Sequence, residues 1–307
     1  MKNFNKIIVI LGPTSSGKSD AAIRLAKKFD GEVISADSRQ IYRGMDVGTG
    51  KVVGIWNEDS KTFISEDVPH HLIDILSPKT SWSAAQFKRK TGKIIKDMLK
   101  RGKLPIICGG TGFWIKAVVD NAIFPEVKPD PKLREKLSEK SAAELFEELK
   151  KIDPERASSI DAKNKVRLIR AIEICKAIGK VPAINTGNEK SSYEFLQIGI
   201  THPKEVLDER IRIRLKQRFD NGMVEEVGKL HLEGGVSWKR LEEIGLGYYW
   251  ITQYFKGRIS KDEAFEKTYQ SEKDYAKRQM TWFKKDRRIL WLNDYADIEK
   301  EAKEFLG

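Results

Sequence analysis

Apolar positions along this chain follow two rhythms. Short unbroken runs read as buried strands, and stripes at three- and four-residue spacing read as amphipathic helices. Residues 6–11 form the first run, and a loop at 12–19 leads into helical spacing over 20–29, with Ala22, Leu25 and Ala26 on one face. A second run covers 32–36, a basic amphipathic helix covers 83–100 and ends near Gly102, and a third run covers 104–108. Gly109 and Gly110 then turn into a helix predicted from Thr111. This β-loop-α repetition predicts a parallel sheet covered by helices.

The rhythm changes near residue 120. Pro125, Pro129 and Pro131 interrupt regular structure, and only helical patterns follow from 132 to 178. In the last of these, Leu168, Ala171, Ile172, Cys175 and Ile178 form one stripe. Residues 187–192 read as a loop and 194–200 as a return to strand. Helical patterns resume over 206–222, with Leu207, Ile211, Leu215 and Phe219 on one side, and over 261–282, before a last short strand at 288–292. The expected organisation is an α/β core over 1–119 and 193–307, helical in its C-terminal part, with an all-helical insertion domain over 120–192.

Composition narrows the classes. The 307 residues include 57 Lys and Arg against 45 Asp and Glu, a formal net charge of +12. With 40% apolar and 9% aromatic residues the chain is too hydrophobic for a disordered polyelectrolyte. A nucleic acid, a phosphorylated substrate, an acidic membrane surface and a merely basic soluble surface all fit the charge. Two cysteines, Cys108 and Cys175, exclude a disulfide scaffold and a cysteine-rich zinc site, and suit a reduced, cytoplasmic setting. The apolar runs are strand-sized, so no membrane span is expected, and the first residues lack the pattern of a secretory signal. His70 and His71 are adjacent, so in a strand they point to opposite faces; no zinc site is expected there.

Gly12, Pro13, Thr14, Ser15, Ser16, Gly17, Lys18 and Ser19 fit GxxxxGK[ST] between a predicted strand and a predicted helix, the context a P-loop requires. Such a loop curls until successive N–H groups converge on an anion, and the helix N-terminus adds partial positive charge. Lys18 then holds phosphate oxygens and Ser19 Oγ binds Mg²⁺. The motif specifies a phosphate, not the compound that carries it. Asp37 follows the second strand, so in a parallel sheet it shares the ligand-binding edge with the P-loop. There it could hold a metal or take a proton from a nucleophile; a helix or turn cap explains it equally well from position alone. Asp37, Ser38, Arg39, Gln40, Ile41 and Tyr42 pack so much polar chemistry into one stretch that a core role is poor, and Arg39 and Gln40 have the fork geometry to read a base edge.

Behind the P-loop, the run Asp37-Ser-Arg-Gln-Ile-Tyr-Arg-Gly-Met-Asp-Val-Gly-Thr-Gly-Lys51 resembles the tRNA dimethylallyltransferases, also called tRNA isopentenyltransferases. Pro69-His70-His71-Leu72-Ile73-Asp74, Gly109-Gly110-Thr111-Gly112-Phe113-Trp114 and Ala276-Lys277-Arg278-Gln279-Met280-Thr281-Trp282-Phe283 match further motifs of that family, in the family's order. The likeness spans nearly the whole chain. It implies a P-loop NTPase-like core and transfer of a dimethylallyl group from dimethylallyl diphosphate to N6 of the adenosine just 3′ of a tRNA anticodon. It also implies Asp37 as the base for the N6 proton, Thr14 facing the same site, and Arg214 near the donor diphosphate. Residues 12–19 become the diphosphate cradle, with Mg²⁺ on Ser19. Contacts to the tRNA anticodon stem-loop are implied for Asp37, Ser38, Arg39, Gln40, Thr111, Arg134 and Arg167.

Several of these residues have plainer readings. Thr111 is a good helix N-cap, which is compatible with a substrate contact. Arg134 alone would be an ordinary surface arginine. Arg210, Arg214 and Arg218 share a helix face and would by spacing be a solvated stripe; the resemblance favours function for Arg214 only. Lys277, Arg278, Lys284, Lys285, Arg287 and Arg288 surround Trp282 and Phe283, a combination suited to RNA phosphates and unstacked bases, or to a charged helix face beside two core aromatics. The chain departs from the family pattern at Asn164-Lys165-Val166-Arg167, where many members have Asp-Pro-Gln-Arg, and at Tyr249-Trp250, where many continue with a basic residue. A P-loop kinase for a small molecule or nucleotide explains the cradle but not the basic C-terminal cluster. An NTP-dependent RNA-binding switch explains the charge but not Asp37. A monomer is the default expectation.

Overall fold

The computed structural model describes residues 5–182 and 192–307. The chain forms two compact units, one from 1–119 with 191–307 and the other from 120–190. Most of the sequence-predicted loop at 187–192 lies outside the described residues.

In the larger unit the order is β1 (Lys6–Leu11), α1 (Lys18–Lys28), β2 (Gly31–Ser35), β3 (Ile55–Asn57), β4 (Thr62–Ser65), β5 (Val68–His71), α2 (Ala84–Lys100), β6 (Leu104–Gly109) and α3 (Gly112–Val119). The smaller unit supplies α4 (Pro131–Ser138), α5 (Ala142–Ile152), α6 (Pro154–Ser159) and α7 (Lys165–Ile178). The larger unit resumes with β7 (Glu194–Ile200), α8 (Lys204–Asp220), α9 (Met223–Leu232), α10 (Trp238–Ile244), α11 (Gly247–Phe255), α12 (Lys261–Phe283), β8 (Ile289–Leu292) and α13 (Tyr295–Leu306). Among the described residues no helix is long and apolar enough to cross a membrane.

The strands form one sheet in the order β3-β4-β5-β2-β6-β1-β7-β8. From β5 to β8 every neighbour is parallel, whereas β3, β4 and β5 pair antiparallel. The hairpin strands β3 and β4 carry no long apolar run, which is why sequence pattern passed over them. The central strand β1 is buried from Ile7 to Leu11, as expected where helices cover both faces. Ile8, Ile10, Val33, Ile106 and Ile198 of the sheet pack against Ala22 and Leu25 of α1 and Ile298 and Ala302 of α13.

This strand order decides where the motifs meet. β2, β6 and β1 are adjacent, so the P-loop after β1, Asp37 after β2 and Gly110-Thr111 after β6 leave neighbouring carboxyl ends, where open α/β sheets bind ligands.

The helical unit has its own core of Leu137, Leu145, Leu149, Leu168, Ala171, Ile172 and Cys175. The stripe predicted along the last of its helices needs one correction: Ile178 is exposed, because it ends α7 just before the Gly179 cap. The side chains of Asp130, Ser141, Asp153 and Asn164 cap the four helix starts. Asn164 accepts the Arg167 N–H at 3.1 Å, so the departure from Asp-Pro-Gln-Arg keeps a competent helix cap.

Candidate active site

The P-loop wraps the N-terminus of α1. Gly12 must be glycine: a Cβ there would lie 2.3 Å from the Ile200 carbonyl oxygen. Pro13 accepts the Lys18 ammonium on its carbonyl at 3.0 Å. Burial pulls the Lys18 pKa below its ordinary value. The hydroxyls of Ser15 and Ser16 are buried, with no hydrogen-bond partner among the described residues. Ser19 lines the cavity beyond Lys18. The Thr14 N–H donates to Gln279 Oε1 at 2.9 Å, and Gln279 Nε2 donates to the Gly110 carbonyl at 2.9 Å. One amide on α12 thus ties the P-loop to the β6–α3 loop.

Asp37 stands across this cavity and also performs the local task that its position suggested. Its Oδ1 accepts the backbone N–H of Arg39 at 2.8 Å and, more loosely, that of Gln40 at 3.4 Å. The turn therefore fixes one carboxylate oxygen. Thr111 takes the N-cap position expected of it, immediately before α3, where its carbonyl accepts the Ile115 N–H at 3.1 Å. The helix runs from Gly112, and the Thr111 hydroxyl accepts the Ser38 N–H at 3.1 Å, with Tyr275 beside it. Burial, helped by the Asp37 charge, pushes Tyr275 up to about 12, so it stays a neutral phenol near pH 7. Gln40 does not project freely: Ser35 Oγ and the Gly50 carbonyl both lie 3.4 Å from its amide. Arg39 is half-buried on the cavity wall.

The third wall comes from α8 and α12. Arg214 Nη2 donates to the Gly50 carbonyl at 2.6 Å, and no carboxylate lies within ion-pair distance of it among the described residues. Burial, followed by the neighbouring Arg218 charge, lowers its pKa. Arg218, one turn on, donates to the Gly48 carbonyl at 2.9 Å and pairs with buried Glu272 at 2.5 and 2.6 Å. Arg210, at the other end of the row, is exposed beside His202. Sequence reasoning singled out Arg214 and passed over Arg218, Glu272, Tyr275 and Gln279. A signal existed: Thr268, Glu272 and Gln279 are polar residues at helical spacing that are all buried, an unusual stripe for a charged helix.

Together these elements enclose a cavity of about 410 Å³ lined by the P-loop lysine, by four arginines (Arg39, Arg214, Arg218 and Arg278) and by three carboxylates, of which Glu272 is paired with Arg218. The apolar Val33, Val52, Ile73, Ile244 and Leu246 line other parts of it. An anion fits among the cations, and a carboxylate faces the same space.

A family profile described as IPP transferase matches residues 40–286, and one described as isopentenyl transferase matches residues 5–59. The chain belongs to the IPP transferase family. It is 41% identical over 303 residues to the tRNA dimethylallyltransferase of Geobacillus thermodenitrificans, covering 97% of this chain and 93% of that one. Among solved structures, the full-length tRNA isopentenylpyrophosphate transferase of Bacillus halodurans is 33% identical with TM-score 0.70, over 98% of this chain and 97% of that one. A eukaryotic dimethylallyltransferase described as acting on tRNA is 25% identical with TM-score 0.76, over 98% of this chain and 77% of that one. These likenesses are to prenyl transferases and not to kinases.

In this family member the remaining motif residues fall in three places. Arg278 lines the cavity with its guanidinium 5.9 Å from the Tyr275 ring, whereas Lys277 points to the exposed side of α12. Of the aromatic pair flanked by basic residues, Trp282 is 37% exposed and meets Phe113 edge-on, while Phe283 is core. The cluster therefore offers one aromatic surface, not two. In the helical unit Arg167 is exposed, and Arg134 grips buried Glu173 through bonds of 2.8 and 2.7 Å. Burial alone would raise the Glu173 carboxyl; Arg134 and its other donors instead hold it at about 2.

Proposed function

We propose that this chain transfers a dimethylallyl group from dimethylallyl diphosphate to N6 of the adenosine just 3′ of a tRNA anticodon. One observation carries the reading. Lys18 and Arg214 are half-buried cations whose polar contacts among the described residues are backbone carbonyls, and they share a cavity with Asp37. Partly buried charges without an ion-pair partner are costly, so such a cavity favours a polyanion such as a diphosphate.

In the proposed reaction the bond between the allylic carbon and the diphosphate oxygen breaks as the N6–carbon bond forms. Asp37 takes the N6 proton, and the electron pair leaves with the diphosphate. Lys18, Arg214, the amides of residues 12–19 and Arg218 stabilise the charge that grows on the leaving group. The donor set suits Mg²⁺: Ser19 offers one hydroxyl ligand beside a diphosphate, and Mg²⁺ is commonly bound by one or two protein oxygens plus substrate phosphates. When bound, the ion would neutralise leaving-group charge. The adenosine must leave the anticodon stack to reach Asp37, as bases generally do in modifying enzymes. Ser38, Arg39, Gln40, Thr111 and Arg278 then contact the tRNA around the extruded base. Lys277 and, in the helical unit, Arg134 and Arg167 meet its backbone.

The test is incubation with labelled dimethylallyl diphosphate, Mg²⁺ and unmodified tRNA. Label is expected in the tRNA, and Asp37→Ala is expected to abolish it while keeping pyrophosphate binding. ATP turnover with no label in tRNA overturns the reading.

A further inference from the structure

The run Asp46-Val-Gly-Thr-Gly-Lys51 belongs to the motif that identified the family, yet none of its side chains enters the chemistry above. In the fold it is a turn held from both sides. On one side the Lys51 side chain, 3% exposed, donates to the Tyr42 carbonyl at 2.7 Å, to Asp46 at 2.6 Å and to Asp74. On the other, Glu226 of α9 reaches across with its carboxylate. Its Oε2 accepts the N–H groups of Asp46 and Val47, each at 2.7 Å, and its Oε1 accepts the Gly48 N–H at 3.0 Å and the Tyr248 hydroxyl at 2.7 Å. Four donors on one carboxylate is far more than a surface glutamate needs.

What the turn does with this rigidity is visible on its far side. The Gly48 carbonyl accepts Arg218, and the Gly50 carbonyl accepts Arg214. The fit is close: a Cβ at Gly50, where φ is +59°, would lie 2.5 Å from Arg214 Nη2, and a Cβ at Gly48 would lie 2.9 Å from Glu226 Oε1. Two guanidinium groups one helical turn apart repel, and among the described residues no carboxylate lies within ion-pair distance of Arg214 to hold it in place. Its direction is set by a backbone carbonyl, and that carbonyl is only as fixed as the turn.

We propose that Glu226 is a positioning residue for the diphosphate end of the cavity: by clamping the 46–51 turn it aims the Gly48 and Gly50 carbonyls, and so sets where Arg218 and Arg214 meet an anion. The proposal rests on the diphosphate reading above. Glu226→Gln replaces an acceptor-only carboxylate by an amide that must turn an NH₂ towards the turn's N–H groups. The turn then loosens and the arginines lose their common aim. Gly50→Ala reaches the same end from the other side, because its methyl group displaces Arg214 directly.

The experiment titrates full-length wild type, Glu226→Gln and Gly50→Ala with inorganic pyrophosphate by calorimetry, and separately with an anticodon stem-loop RNA, alongside thermal unfolding. Each variant is expected to bind pyrophosphate about tenfold or more weakly, the loss of roughly one charge-assisted hydrogen bond, with RNA affinity within about twofold of wild type. Wild-type pyrophosphate affinity in Glu226→Gln, or a parallel loss of both ligands, overturns the positioning role. If Glu226→Gln does not fold, wild-type pyrophosphate affinity in Gly50→Ala does the same. A wild type that binds no pyrophosphate overturns the diphosphate reading itself and this proposal with it.

Discussion

Replacing Arg214 by glutamine should move stability and ligand binding in opposite directions. Arg214 is half-buried, makes one hydrogen bond to the Gly50 carbonyl, and has no carboxylate within ion-pair distance among the described residues. Its charge persists at every working pH, because arginine does not deprotonate in proteins. The unliganded fold therefore carries the cost of a charge without a direct ion pair, which neighbouring Arg218 increases and the more distant carboxylates of Glu272 and Asp37 only partly offset. Glutamine keeps a donor for Gly50 and removes that cost. Unfolding of the unliganded variant is expected at the wild-type midpoint or above it. Binding should respond the other way. Nε and Nη1 of Arg214 have no partner among the described residues and can make two charge-assisted bonds to a diphosphate. At about 1.5 kcal/mol each these contribute about 3 kcal/mol, or roughly a 100-fold weakening of pyrophosphate on their loss. Calorimetric titration and thermal unfolding on the same preparations give both numbers. A variant that unfolds well below wild type yet holds pyrophosphate normally would refute the reasoning, because Arg214 would then be a structural cation.

Three further outcomes follow from particular contacts. Arg101 and then His71 overcome the effect of burial and hold Glu32 at about 2 rather than 4.5, so its stabilisation is complete above about pH 4.5 and is lost as pH falls towards 2; wild type should lose about 3 kcal/mol more than Glu32→Gln across that window in denaturant titrations, and parallel curves would deny the linkage. Arg134→Met strips buried Glu173 of its bidentate partner but leaves Arg170, so the helical unit should lose about 2–3 kcal/mol, read by hydrogen exchange in α4 to α7; unchanged protection would free Arg134 from this structural duty. Lys277→Ala should lower the slope of log affinity for tRNA against log salt by about 0.7–1, the signature of one lost phosphate contact, and an unchanged slope would remove Lys277 from the interface.

Much of the molecule was legible because its signals are local. The strand–loop–helix at Ile7 to Lys18, the polar stretch from Asp37 and the helical stretch from Lys132 each announce themselves within a few turns of chain. The turn cap that position suggested for Asp37 is present, with Oδ1 accepting the Arg39 N–H at 2.8 Å. Thr111 was legible as a helix start, but local spacing does not show that its hydroxyl is claimed by Ser38, 73 positions away. Phe283 and Trp282 look alike in a basic cluster, and only packing buries one and exposes the other. The hairpin of β3 and β4 escaped notice because edge strands need few apolar residues.

By itself the amino-acid sequence determined the core architecture, the phosphate-binding motif and the family, since each is written in short-range order. The tertiary structure decided which charges matter. Gln279 meets Thr14 across 265 positions, Arg218 meets Glu272 across 54, and Glu226 meets Gly48 across 178. Arg210, Arg214 and Arg218 are equivalent by helical spacing, yet the first is exposed, the second is half-buried against a backbone carbonyl with no ion pair among the described residues, and the third is neutralised by a carboxylate. Electrostatic role depends on dielectric surroundings and on which counter-charge arrives, and both are properties of the folded chain rather than of the residue.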